Sequence, residues 1–186
     1  AAAKAIVEER KANGPFKDIY NFVERVSMNA LNRKSMECLA VSGALDCFGF
    51  DRELYLAPCN ERTTFMEVLL RYGMNVQQDK HESENSLFND IGGMEIPQPA
   101  PPAKYEKWSN ITKLEKEREL VGIYISGHPL DPYAVIMEQL CNTTFPQLSN
   151  PALLKGKPLV LGGMVTGLRE GTTKTGKPFG IVQFED

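Results

Sequence analysis

No run of about 18 apolar residues occurs in this chain of 186 residues, so no segment reads as a membrane-spanning helix. The opening also lacks the basic start and apolar core of a secretory signal. It begins at Ala1 with no Met before it, and the expectation is a piece cut from something longer. Cysteine is sparse: Cys38, Cys47, Cys59 and Cys141 form no C-x-x-C pair, and neither His81 nor His128 stands near one at zinc-ligand spacing. The plain reading is reduced thiols in a cytoplasmic protein, with no metal site. Charge of one sign is missing too. Against 21 Lys plus Arg stand 24 Asp plus Glu, a net of −3, so any nucleic-acid contact must come from local patches. The phosphate-cradling G-x-x-x-x-G-K-[ST], the dinucleotide G-x-G-x-x-G and the nucleophile G-x-S-x-G are all absent. Acidic pairs such as Glu8-Glu9 read as solvated helix faces, and His128, in a turn before Pro129, reads as a turn residue rather than a general base. No catalytic residue is expected.

What is present is an ordinary globular composition, 42% apolar and 24% charged, with zones that differ. The first 60 residues mix 8 basic and 8 acidic residues and read as short helices. Ala1 to Lys11 is rich in strong helix formers and is stopped by Asn13-Gly14-Pro15. Phe16, Ile19, Tyr20, Val23 and Val26 then recur at three- and four-residue steps, the pattern of an amphipathic helix. Asn32 is a good N-cap for a helix over Arg33–Val41 that buries Met36, Leu39 and Ala40. Ser42-Gly43 ends it, and Ala44 to Gly49 reads as a compact turn. One more helix is expected over 61–72. Gln77 to Ala103 is polar, acidic and proline-rich, a composition that reads as a mobile linker, with a lone apolar pair at Leu87-Phe88. A charged helix over Lys113–Leu120, a turn over Ser126–Pro132 and a short helix over Tyr133–Leu140 follow. The period then switches. Pro158 to Val165 and Phe179 to Phe184 read as strands around a polar turn marked by Gly176. The expected fold is a mainly α N-terminal part followed by a small β part. Its divisions are 1–75, a helical domain; 76–103, the linker; 104–150, a helical connector; and 151–186, the strands.

Three features are candidates for binding. At Asn32-Arg33-Lys34 a cap residue and two cations open a helix after a tight turn, an arrangement that can hold phosphates without reading bases; an ordinary cap with surface charges is the plainer alternative. Leu87-Phe88, flanked by Glu84, Asn85 and Ser86, suits a short linear motif that docks in a partner's apolar pockets, although incidental apolar residues would look the same. Arg169, Lys174 and Lys177 around Phe179 suit single-stranded nucleic acid stacked on a ring; the alternative makes Phe179 core and the lysines a solvated turn.

Together these pieces resemble the C-terminal half of the C family of DNA polymerases, the bacterial replicative enzymes. Gly14-Pro15-Phe16 with Asp18-Ile19-Tyr20 and Phe22 resembles the segment after that family's first helix-hairpin-helix. Leu31-Asn32-Arg33-Lys34 leading to Ser42-Gly43-Ala44-Leu45-Asp46 resembles its second hairpin, and Glu117 to Leu130, with Ser126-Gly127-His128-Pro129-Leu130, resembles a highly characteristic stretch. Gly162 to Asp186 is similar to the first strands of the family's OB domain, which would be truncated here. The resemblance implies a DNA-binding helix-hairpin-helix in 1–75, with duplex contacts at Asn32, Arg33, Lys34 and Gly43, and single-strand contacts at Arg169, Lys174 and Lys177. It implies that Glu84-Asn85-Ser86-Leu87-Phe88 is the motif that binds the sliding clamp (the β subunit), with Glu84 where a Gln is usual. The palm, with its Mg2+-binding aspartates, would lie before residue 1, and contacts to other replicase subunits would lie outside this piece. Rival readings are a stand-alone single-strand-binding OB module, an accessory polymerase paralogue and a connector that never touches DNA.

Overall fold

The computed structural model describes residues 2–85, 96–150, 156 and 158–185. The chain divides into two compact units, Ala1–Ser126 and Gly127–Asp186.

In the first unit, α1 (Ala2–Asn13) ends where the sequence stops it, at Gly14 with φ +78°. The helix α2 (Ile19–Arg25) starts on Asp18, whose Oδ1 accepts the Asn21 N–H at 2.7 Å, and buries Ile19, Phe22 and Val23. It is shorter than the apolar spacing implies: Phe16 precedes it, and Val26 is its extended C-cap. Arg25 ties the two helices together. Its Nε donates to Glu9 at 2.9 Å, one Nη donates to the Gly14 carbonyl at 3.0 Å, and its guanidinium lies 4.7 Å from the Phe16 ring centroid. Helix α3 (Arg33–Val41) opens on the expected Asn32 and buries Met36 and Ala40. A 3-10 turn over Asp46–Phe48 leads to α4 (Arg52–Leu56), a helix the periodicity does not announce.

The largest departure from the sequence reading is α5 (Phe65–Asn85), which runs far past residue 72. Phe65, Met66, Leu69, Leu70 and Tyr72 enter the core that α2, α3 and α4 share. Beyond them, Gln77 docks the polar half of the helix. Its Nε2 donates to the carbonyls of Val23 and Val26 at 3.0 and 2.8 Å, and its Oε1 accepts the Met28 N–H at 3.3 Å. Gly73 lets the helix pass close to α2: a Cβ there would lie 2.5 Å from the Val23 carbonyl. The polar stretch from Gln77 is therefore helical to Asn85, not linker, because these hydrogen bonds replace the apolar burial it lacks. From Ile96 onward the proline-rich segment lies on the same unit. Ile96 and Tyr105 pack on the core, Tyr20 Oη donates to the Pro99 carbonyl at 2.9 Å, and Tyr105 Oη donates to Asp51 at 2.7 Å.

Helix α6 (Asn110–Val121) is capped by Ser109 and ends at Gly122, φ +90°. It also belongs to the first unit, so the expected 104–150 connector is split at Ser126. The reason is a buried charge. Glu117 is fully enclosed at 0% exposure; it accepts Arg52 Nη1 at 2.8 Å, Ser126 N at 2.8 Å and Ser126 Oγ at 2.5 Å, and also the Ile125 N–H. Lys113 adds a contact of 3.3 Å to the buried Glu53.

The second unit holds a 3-10 turn over Asp131–Tyr133, α7 (Ala134–Leu140), β1 (Met164–Thr172) and β2 (Pro178–Glu185). The strands form a two-stranded antiparallel sheet, with a register shift between Val165 and Gly167 and a turn at Gly176, φ +81°. Pro158–Gly163, read as part of the first strand, is not strand; Asn142 holds it instead, through the Val160 N–H at 3.0 Å and the Pro158 carbonyl at 3.0 Å. The molecule is thus mostly helical in its N-terminal part and carries a small β part after it.

Candidate nucleic-acid interface

The segment from α2 to α3 is a helical hairpin whose second helix starts at the surface. Asn32 and Ser35 cap each other: Ser35 N donates to Asn32 Oδ1 and Asn32 N to Ser35 Oγ, both at 2.9 Å. This capping box uses the N–H groups of Asn32 and Ser35, so those of Arg33 and Lys34, between them, are the ones that the helix start turns outward. Both side chains are exposed.

The cations are not equivalent. Arg33 Nη1 lies 2.9 Å from Glu67 Oε1, with Arg33 67% exposed and Glu67 22%. Glu67 sits in the first turn of α5, where its other oxygen accepts the Thr64 N–H at 2.8 Å. That backbone bond, with help from the Thr64 hydroxyl, Arg33 and Arg71, holds the Glu67 carboxyl below its ordinary range against partial burial. Two helix starts thus meet across one ion pair, with Lys34 beside it on α3.

Gly43, expected at the duplex contact, sits just past the end of α3. Its φ is +80° and its N–H donates to the Ala40 carbonyl at 3.2 Å, so the amide is spent within the chain. The side it leaves open holds the Arg52 guanidinium, where a Cβ would stand 2.2 Å from Nη2. Arg52 in turn donates to Asp46 at 2.7 Å and to Ser126 Oγ at 2.7 Å as well as to Glu117. Burial pushes the Glu117 carboxyl up, but the bonds from Ser126, Arg52 and Ile125 outweigh it and leave its pKa lowered to about 2. Sequence reasoning placed Glu117 only within the charged helix over Lys113–Leu120. The only signal was its place at the head of the Glu117–Leu130 stretch.

In the second unit the strand register puts Arg169 opposite Ile181 and Gly171 opposite Phe179, so these four share one face. The Phe179 ring covers Gly171, where a Cβ would lie 2.6 Å from its Cζ, and remains 45% exposed. Lys174 and Lys177 are exposed in the connecting turn. The other face carries Leu168, Val182 and Phe184, with Phe184 stacked on Phe145 at 6.3 Å between centroids. Of the proposed clamp motif, Glu84 and Asn85 are the last residues of α5, while Ser86, Leu87 and Phe88 lie outside the described residues. Among the described residues no helix is long and apolar enough to cross a membrane.

Comparison with known proteins finds likenesses along the chain. Residues 1–55 match the family model described as a helix-hairpin-helix motif. A curated relative from Thermus aquaticus, the DNA polymerase III subunit alpha, is 36% identical over 177 residues, 94% of this chain and 13% of that protein. The subunits of the same name from Caulobacter vibrioides and Treponema pallidum are 26% and 29% identical over 100% and 97% of this chain, and in each the match covers 15% of the relative. The N-terminal part thus carries a helix-hairpin-helix motif. More narrowly, the chain matches, over essentially its whole length, a fragment of the DNA polymerase III alpha subunit. It spans about a seventh of the length of these curated relatives.

Proposed function

We propose that this chain is the part of a bacterial replicative DNA polymerase that keeps the enzyme on its template, a cytoplasmic module without a reaction of its own. The observation that carries this reading is the end-to-end match to alpha subunits, which are DNA polymerases by name. Duplex DNA is held at the start of α3 through backbone phosphates, by the Arg33 and Lys34 side chains and their outward amides. Phosphate contacts of this kind fix position without reading sequence. Leu87 and Phe88, with Glu84, Asn85 and Ser86, dock in the apolar pocket of the sliding clamp, so processivity comes from effective concentration rather than from a larger DNA interface. Single-stranded template lies along the β1–β2 face that carries Arg169 and Phe179, with Lys174 and Lys177 near its end. The half-exposed Phe179 ring, on the face that also carries Arg169, favours that use. Polymerisation, and the Mg2+ it needs, belong to the rest of the parent enzyme, as do contacts to other replicase subunits.

Binding of the chain to the sliding clamp tests the tether directly. The wild type is expected to bind and the Leu87→Ala, Phe88→Ala double variant is not; equal binding by both would place the contact elsewhere. In parallel, gel shifts on duplex and single strand separate the two DNA surfaces. Substitution of Arg33 and Lys34 should weaken the duplex complex alone, and substitution of Arg169 and Phe179 the single-strand complex alone.

A further inference from the structure

Arg33 is offered to a phosphate by one reading and held by a carboxylate in the free chain. Its Nη1 pairs with Glu67 Oε1 at 2.9 Å, and Arg33 cannot present that edge of its guanidinium to both anions. The two partners are unequally free. Glu67 is anchored: Oε2 accepts the Thr64 N–H at 2.8 Å and lies 3.2 Å from the Thr64 hydroxyl, and only 22% of the side chain is exposed. Arg33, 67% exposed, is the mobile member that can swing away. Arg71, exposed one turn along α5 and acting on the same carboxylate, stands ready to pair with Glu67 when Arg33 leaves.

We infer that Glu67 is a built-in competitor of DNA phosphate: its carboxylate occupies Arg33 in the free chain and is displaced when duplex binds, which sets the affinity of the hairpin below what its cations would give. This rests on the reading of the start of α3 as a phosphate contact. The carboxylate stands where an anion is to be bound, and the cost of replacing it is that of an exposed ion pair, which is small. Such a residue weakens the hold on DNA without abolishing it, which suits a module that must move along its template.

The test is a double-mutant cycle on duplex binding by the 186-residue chain, with Glu67→Gln, Arg33→Ala and the two combined. Gln keeps a side-chain oxygen for the Thr64 N–H and removes the charge from Arg33. Alone, it is expected to tighten duplex binding about two- to five-fold at low salt. In the Arg33→Ala background it should tighten nothing, since the competitor has nothing left to hold. A gain of equal size in both backgrounds would mean that Glu67 acts only through general charge, and would overturn the inference, as would no gain at all. Should Glu67→Gln fail to fold, the wild type answers alone: NMR titration of the Glu67 carboxyl should show its pKa rise when duplex is added, and an unmoved pKa overturns the proposal. If Arg33→Ala leaves duplex binding unchanged, it is the hairpin reading itself that fails, a result distinct from any of these.

Discussion

Arg52 passes beside the backbone at a place only a glycine leaves open. Gly43, at φ +80°, would bring a Cβ to 2.2 Å from Arg52 Nη2 and 2.9 Å from Asp46 Oδ2. Gly43→Ala should therefore destabilise the first unit by about 1–3 kcal/mol, from left-handed strain before any displacement of Arg52 is counted; denaturant unfolding measures it. The same guanidinium meets Glu117, and the pair is enclosed, with side-chain exposures of 8% and 0%. Removing one partner strands the other, so Glu117→Ala should cost about 3–5 kcal/mol. The pH dependence follows from the direction of the shift. Glu117 binds its proton less readily folded, at about 2, than at its ordinary 4.5, so its contribution is complete above pH 4.5 and is lost as pH falls toward 2. Urea midpoints of the wild type should fall through that window, and those of Glu117→Gln should fall less.

The elements divide by where their reasons lie in the chain. The cap of α3 is legible because Asn32 and Ser35 are three residues apart and answer each other locally. The stop at Gly14 is legible for the same reason. The second half of α5 is not, because Gln77 is held by Val23 and Val26, 54 and 51 residues earlier. A polar side chain with distant carbonyl partners looks, in sequence, like any solvated glutamine. The site shows the same division. Arg33 and Lys34 announce themselves by charge at a helix start, but the Glu67 that holds Arg33 comes from another helix, and Glu117 finds Arg52 65 residues away. The docking of α5 also makes a prediction. Gln77→Ala removes three hydrogen bonds and leaves the end of α2 without its partners, which should cost about 1–3 kcal/mol. Amide exchange should quicken in the last turns of α5 while the β1–β2 hairpin, in the other unit, keeps its rates.

At the scale of the molecule, the apolar core lies in the first unit, whereas the sheet of the second is two strands with Val165, Leu168, Phe179 and Phe184 exposed. Two strands alone are marginal in water. This asymmetry puts the weight of the functional reading on the helical unit. There the start of α3 is proposed to hold duplex DNA by its phosphates. The most direct measurement is the affinity of the chain for a short duplex across a range of salt concentration, beside an Arg33→Ala, Lys34→Ala double variant. The variant is expected to bind more weakly on every duplex sequence, with a log–log salt slope shallower by about two, close to one for each phosphate no longer neutralised. Equal affinities with equal slopes would overturn that role and leave Arg33 and Lys34 as surface charges around an ordinary helix cap.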